Sequence, residues 1–406
     1  MINYEQYARV VLQKGINLKK GQNLLISCNA GNYDLARSLA TEAYTLGAGF
    51  VEISVQDNYI TKARLAAQSG DELTYIPNYQ IGKAHQLLSE DWARIRIDST
   101  EEQDVLGDVD SDKLSLLSKA SRTALRFVST SMMNGEHSWC VICAPGPQWA
   151  KKVLGDKATT EELWDVLKPV LRLDREDPAL AWEEHGHDLW NRCKILNEMK
   201  LDRLHFEAEG TDLIIGLNGI GRWHGGPGSL PDGRMVFNNL PTEEVFTTPD
   251  FTRCNGTVRT TKALKVLESP VEGAWFRFEE GKVVDFGADK GQDVLKQFLD
   301  MDEGARSLGE VALVDETSPI AASGLIFGSI LYDENASCHI ALGAGYPFCL
   351  ELPPGTTGEE TLKSYGCNSS LLHTDFMIGS PSLNVTGYDR EGKAFSLIRS
   401  GRFVLA

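Results

Sequence analysis

The chain reads as two domains of different style. Residues 1–200 predict an α/β domain with a doubly wound, mostly parallel sheet, and residues 201–406 a β-rich α+β domain. Three observations carry this. The chain has 406 residues, more than one ordinary hydrophobic core accommodates. Short apolar runs alternate with helical periodicity through the first third, the rhythm of a parallel sheet with crossover helices. At Leu201 the texture changes to alternating strands punctuated by glycine turns.

The N-terminus, MINYEQYARVVLQKG, has neither a basic start nor an unbroken apolar run, so it predicts a first helix and not a signal peptide. NLLISCN (23–29) is a strand, YDLARSLATEAYTLGA a helix and FVEISVQ the next strand. Helices follow at ITKARLAAQ and GKAHQLLSEDWA, then a strand at ARIRIDS. DSDKLSLLSKASRTALRFVSTSMMNG opens with Asp110 or Ser111 as N-cap and ends near Asn134-Gly135. SWCVICAPG supplies a further strand and PQWAKKVLG a further helix, and residues 159–200 are helical with a break at LDREDP. Beyond Leu201, LDRLHFEAEGTDLIIGLNG forms strands around Gly210-Thr211, and VEGAWFRFEEGKVVDFGA a hairpin turning at Glu280-Gly281. One helix, GQDVLKQFLDMD, interrupts the run.

Several functions are disfavoured at once. A net charge of −17 opposes a sequence-independent nucleic-acid binder, which needs a basic face to displace counterions, and it opposes a membrane-surface role. No stretch reaches the roughly 18–20 apolar residues of a membrane span. Neither GxGxxG nor GxxxxGK[ST] stands at a strand-to-helix turn, and Asn29-Ala30-Gly31-Asn32 reads as an ordinary turn. The eight cysteines are scattered, which suits reduced thiols in the cytoplasm. Cys140 and Cys143 have CxxC spacing but lie in an apolar strand without a second such pair. HExxH and GxSxG are absent. His185-Gly186-His187 reads as a solvated helical pair, and Arg222-Trp223-His224-Gly225-Gly226 as a turn or a pocket lining.

Metal-ligand chemistry concentrates between Glu310 and Asp375. His373 and Asp375 alternate in a strand-like run and therefore share a face. His339 has small or apolar neighbours, so a neutral ring suits it, whether ligating or hydrogen-bonded in the core. Glu310 lies in the apolar run GEVALV, where a lone carboxylate is costly to bury unless paired, protonated or coordinated. Glu334 is a ligand or a loop carboxylate. Glu243-Glu244 reads as a solvated turn or, at Glu244 beside Val245-Phe246, as an inward acid. Carboxylates and imidazoles without matching cysteines suit zinc, cobalt, manganese or magnesium. Paired ions about 3.5 to 4 Å apart recur in amide and phosphoester hydrolysis.

NLPTEEVF, the GEVALV glutamate, DENASCHIALGAGYP and HTDFMIGS, in this order, resemble the metal-site motifs of the thermophilic aminopeptidase T family of metalloaminopeptidases. The α/β half is similar to that family's N-terminal domain in pattern. The resemblance implies an exopeptidase with two divalent metal ions per chain, peptide substrates with a free N-terminus, and a homodimer. It makes residues 201–406 the catalytic domain and Glu244, Glu310, His339, His373 and Asp375 ligands, with Glu334 a further one. Tyr346 falls where the family has a functional tyrosine near the metals, and Glu310 joins it in catalysis. Glu334 and Glu316 are both candidates for the general base. The rival readings are a two-metal hydrolase of another amide or a phosphoester, and a non-catalytic metal- or ligand-binding protein.

Overall fold

The computed structural model describes residues 2–405 except 99, 103, 268, 354 and 357. It divides into two compact units, Met1–Gly186 with Pro227–Thr242, and His187–Gly226 with Glu243–Ala406. The division falls inside the Pro178–Met199 helix, whereas residue 200 marks the change from that helix to the Leu201–Ala208 strand.

The first unit is built on a parallel sheet. Its strands run Asn239–Leu240, Trp139–Cys143, Ala93–Asp98, Leu24–Asn29 and Val51–Gln56 in spatial order. Leu24, Ile26 and Cys28 are buried at its centre, while the edge strand Val51–Gln56 has no fully buried residue. Helix starts carry local caps. The Asp110 side chain accepts the Asp112 and Lys113 N–H groups, and Thr159 with Glu162 forms a capping box. The helix predicted over 110–134 is two helices, Ser111–Ala124 and Arg126–Met133, because Leu125 leaves helical geometry at φ −109°.

Strand order reverses beside Leu24–Asn29, the place where doubly wound sheets hold nucleotides. Two carboxylates occupy it here. Glu102 accepts from Asn29 Nδ2 and from the Asn58 N–H, both at 2.8 Å. Glu101 accepts from Gln148 and Trp149 N–H at 3.1 and 3.0 Å, at the start of the Pro147–Leu154 helix. An anionic side chain already holds the donors that a phosphate would need.

The second unit packs two antiparallel sheets around one core. The eight-stranded sheet contributes Leu204, Phe206, Leu213, Ile215, Phe276 and Phe278. The five-stranded sheet contributes Val245, Val311, Leu313, Ile340, Leu342 and Phe376. Phe376 meets Phe276 edge-on at 4.9 Å and Phe298 at 5.9 Å, the geometry aromatic rings favour. The hairpin predicted at Glu280-Gly281 is present, with both residues at positive φ, 46° and 81°, as its right-handed twist demands.

The five-stranded sheet has one irregularity of consequence. Leu308 pairs with Leu342, but Glu310 pairs with Ala341, so Gly309 is an extra residue, a bulge. In regular alternation Leu308 and Glu310 would share a face. The bulge keeps Leu308 in the core and turns Glu310 to the opposite side. The backbone there is too close for any other residue, since a Cβ on Gly309 would lie 2.2 Å from the Ala344 carbonyl oxygen. Gly309→Ala is expected to cost about 1–3 kcal/mol through this overlap, read as a lowered thermal midpoint, and to weaken metal binding as Glu310 shifts.

Candidate metal centre

The five-stranded sheet runs His373–Met377, His339–Gly343, Leu308–Leu313, Val245–Thr247, His224–Gly225. Residues paired across antiparallel strands point to the same face. Glu310, Ala341 and Asp375 therefore form one row, and Ala312, His339 and Met377 the next. Phe246 and His224 extend the second row. His373 faces Gly343 on the same side, and alternation puts Glu244 two residues before Phe246 there also. The side chains between them are small, Ala312, Ala341 and Gly343, so long acids and imidazoles meet above them. Val311, Ile340 and Phe376 take the other face, toward the core, and Met377 at the end of the second row also packs in it. One period-two pattern thus separates the chemistry from the packing.

The distances follow. His339 Nε2 lies 3.0 Å from Glu244 Oε2, and His373 Nε2 3.1 Å from Glu310 Oε2 and 3.5 Å from Asp375 Oδ1. Among the described residues two ligand groups form, Glu244 with Glu310 and His339, and Glu310 with His373 and Asp375. Within each, the donor atoms lie inside 4.8 Å of one another, and Glu310 is common to both.

Both imidazoles are aimed from behind. His339 Nδ1 lies 3.1 and 3.0 Å from the Glu334 and Ser337 carbonyl oxygens, and His373 Nδ1 2.7 Å from that of Ala344. A carbonyl only accepts, so Nδ1 holds a proton and Nε2 is the nitrogen left facing the carboxylates, to be occupied by a proton or a cation, the arrangement that orients metal-ligating histidines. Glu244 Oε2 and Asp375 Oδ1 are buried, and the imidazoles of His339 and His373 face them, at 3.0 and 3.5 Å and outside ordinary hydrogen-bond geometry. Such oxygens are costly to bury unless something electropositive meets them, and an oxygen-and-nitrogen donor set of this kind fits a hard or borderline divalent cation.

Where no cation is bound, protons balance these charges instead. Burial drives the Glu310 carboxyl up to about 7, with the Glu244 and Asp375 charges adding and His373 opposing. Burial likewise lifts Glu334 well above its ordinary range, helped by Asp375, Glu244 and Glu310. For His339 burial favours the neutral ring, but Glu244, Asp375 and Glu310 outweigh it and raise it to about 10. His373 is raised well above its usual value for the same reason, by Asp375 and Glu310. Asp375 is held low, because His373 and His339 overcome its burial.

Two further residues join the cluster, Glu334 and Tyr346, and Glu243 lies beside it. Glu334 ends the Ile330–Glu334 helix, buried against Asp375. Tyr346 sets its hydroxyl 3.1 Å from His373 Nε2. Glu243, which shares the expected solvated turn with Glu244, is buried like it, and its N–H donates to Asn335 Oδ1 at 2.7 Å. Asn335 donates in turn to the Leu331 carbonyl at 2.9 Å and Glu334 Oε1 at 3.3 Å, so one buried amide ties the Glu244 and Glu334 segments together. The sequence signal for this was slight, an asparagine directly after Glu334. Thr248 does the same for Tyr346, accepting its N–H at 2.8 Å and donating to its carbonyl at 3.1 Å.

Other candidates lie elsewhere. Glu316 sits beside Gly401, its N–H donating to the Gly401 carbonyl at 2.9 Å. His185 is half-buried, with Nε2 2.9 Å from the Thr242 carbonyl oxygen, and His187 is exposed and stacks on Trp190. Cys140 and Cys143 are buried and in no disulfide.

The family described as thermophilic metalloprotease (M29) matches residues 2–403. The chain belongs to this family. Among its relatives are Aminopeptidase T of Thermus aquaticus, 37% identical over 99% of this chain and 98% of the relative, and Aminopeptidase PepS of Streptococcus thermophilus, 36% identical over the same shares. A solved structure, wild-type AmpT from Thermus thermophilus, superposes with a TM-score of 0.89 at 35% identity, covering 98% of each chain. Membership in the M29 metalloproteases makes the chain a peptide-bond hydrolase, an aminopeptidase whose family implies a divalent metal cofactor. No helix among the described residues is long and apolar enough to cross a membrane.

A cation and the protons of this cluster compete for the same oxygens and nitrogens. Raising the pH through Glu310 near 7 and toward His339 near 10 removes protons and favours the cation. Zinc titrated into metal-free protein is therefore expected to release protons, with affinity climbing between about pH 6 and about pH 8. Calorimetry in two buffers of unlike ionisation heat measures this, and a flat affinity contradicts it.

Proposed function

We propose that the chain is a two-metal aminopeptidase, removing N-terminal residues from peptides with a free α-amine. The observation that carries this is Glu310 standing in both ligand groups, so that one carboxylate would serve two ions. Glu244 and His339 would complete one site, and His373 and Asp375 the other. When bound, the ions supply Lewis acidity, acidifying water and polarising the scissile carbonyl. Zinc, cobalt and manganese suit these donors, and magnesium is possible on the oxygen side.

The remaining chemistry belongs to the chain. Burial and the four surrounding carboxylates push the Tyr346 hydroxyl well above its usual range, so it keeps its proton. Once His373 Nε2 is engaged elsewhere, that hydroxyl is free to donate to the developing oxyanion. Of the two general-base candidates Glu334 lies in the cluster and Glu316 does not. Once cations offset the neighbouring carboxylates that raise it, Glu334, beside Asp375, would take a proton from water and return it to the leaving amine. The surplus of acids over imidazoles provides an acceptor for the substrate's α-ammonium. The buried cysteines among the described residues, none in a disulfide, support a reducing, cytoplasmic setting, and likeness to the family supports a homodimer, which light scattering tests.

Complete chelation is expected to abolish hydrolysis of aminoacyl-anilides, with cobalt or zinc restoring it; activity that survives metal removal overturns the reading. Glu310→Gln and His339→Ala should abolish turnover and reduce bound metal, read by elemental analysis, while leaving the protein folded. Tyr346→Phe should lower kcat by about 10²–10³-fold with metal content and KM little changed.

A further inference from the structure

Side-chain selectivity needs a surface beside the reacting carbonyl, and one feature of the sheet face remains without a role. The Tyr346 ring, 4.9 Å from His373, is also 5.5 Å from Phe246 and 5.3 Å from Phe348. Phe348 meets Phe246 at 6.2 Å and the His224 ring edge-on at 5.3 Å. Phe246 stands in the row of His339, separated from it only by Ala312, and two residues beyond Glu244 on the same side. An apolar wall is thus continuous with the carboxylate and imidazole cluster. It is also open, since Phe348 is 38% exposed although large and aromatic. The wall carries no net charge. Burial holds His224 below its ordinary range, uncharged at neutral pH, and Arg222 and Glu351 at its margin engage one another at 2.8 and 2.5 Å.

We propose that Phe348, with Phe246 and His224, receives the side chain of the substrate's N-terminal residue and selects large apolar residues over small or acidic ones. The inference rests on the aminopeptidase reading. The α-amine and scissile carbonyl of a bound peptide face the acids and Tyr346, and its first side chain, one bond away, falls on the neighbouring rings. Phe348 is a specificity residue here and takes no part in proton transfer. A leucine or aromatic side chain there leaves water and meets ring faces, whereas aspartate would bring a charge to an apolar surface with no cation to meet it.

The experiment compares kcat/KM of the metal-loaded protein on leucyl-, alanyl- and aspartyl-p-nitroanilide, for the natural chain, Phe348→Ala and Phe348→Leu. The natural chain is expected to favour leucyl over both others. Phe348→Ala should cut the leucyl value by about 10-fold or more and change the alanyl value by less than about 3-fold, and Phe348→Leu should restore most of the leucyl preference. Calorimetric binding of leucine and alanine hydroxamates, independent of turnover, should show the same loss of discrimination. Equal losses on all three substrates, or no leucyl preference in the natural chain, overturn the assignment of Phe348 while leaving the aminopeptidase intact. Absence of hydrolysis on every substrate removes the aminopeptidase reading, and this inference with it.

Discussion

Four carboxyl groups and two imidazoles meet over one face of a sheet, and the structure depends on how that concentration of charge is neutralised. In water such groups would simply ionise and repel. Inside a protein the repulsion is far stronger, so the face must take up either protons or cations. The raised Glu310 and Glu334 and the raised histidines are the signature of the first solution. The carbonyl-anchored Nδ1 atoms and the buried oxygens of Glu244 and Asp375, faced by imidazoles, anticipate the second.

Holding such a face in place falls to the hydrophobic side of the same strands. Val311, Ile340, Leu342 and Phe376 pack into the inter-sheet core, and each alternates with a residue of the polar face. The acids are therefore positioned by burial of their neighbours, a stronger and less directional force than any contact they make themselves. Gly309 is where this coupling is adjusted, for it lets Leu308 and Glu310 point to opposite faces. Asn335 and Thr248 extend the same rigidity to the segments that carry Glu334 and Tyr346.

Much of this was legible in the chain. Strand-helix rhythm marks the parallel sheet, and the alternation of His373 with Asp375 places them on one face. Other parts were not. A bulge is a property of two strands, so GEVALV by itself cannot reveal that Gly309 is unpaired. Glu243 stands just after a proline and a threonine and looks like a turn residue, yet it is buried with the inward Glu244, because its N–H is held by Asn335, almost a hundred positions later. His224 read as turn or pocket lining and is the edge strand of the metal-bearing sheet, through pairing with Phe246. Long-range register, and not local propensity, decides each of these cases.

The return of Pro227–Thr242 to the first unit bears on the order of events during synthesis. The polypeptide passes between units at residues 186, 226 and 242, and the short strand Asn239–Leu240 closes one margin of the parallel sheet. A nascent chain emerging from the ribosome cannot finish its first unit when residue 186 appears. It must wait while Leu201–Ala208 and Thr211–Leu217, strands that belong to the second, are made before the closing segment. Vectorial folding here is interleaved, and the carboxylates of Glu243 and Glu244 follow immediately after the residue that completes the earlier unit.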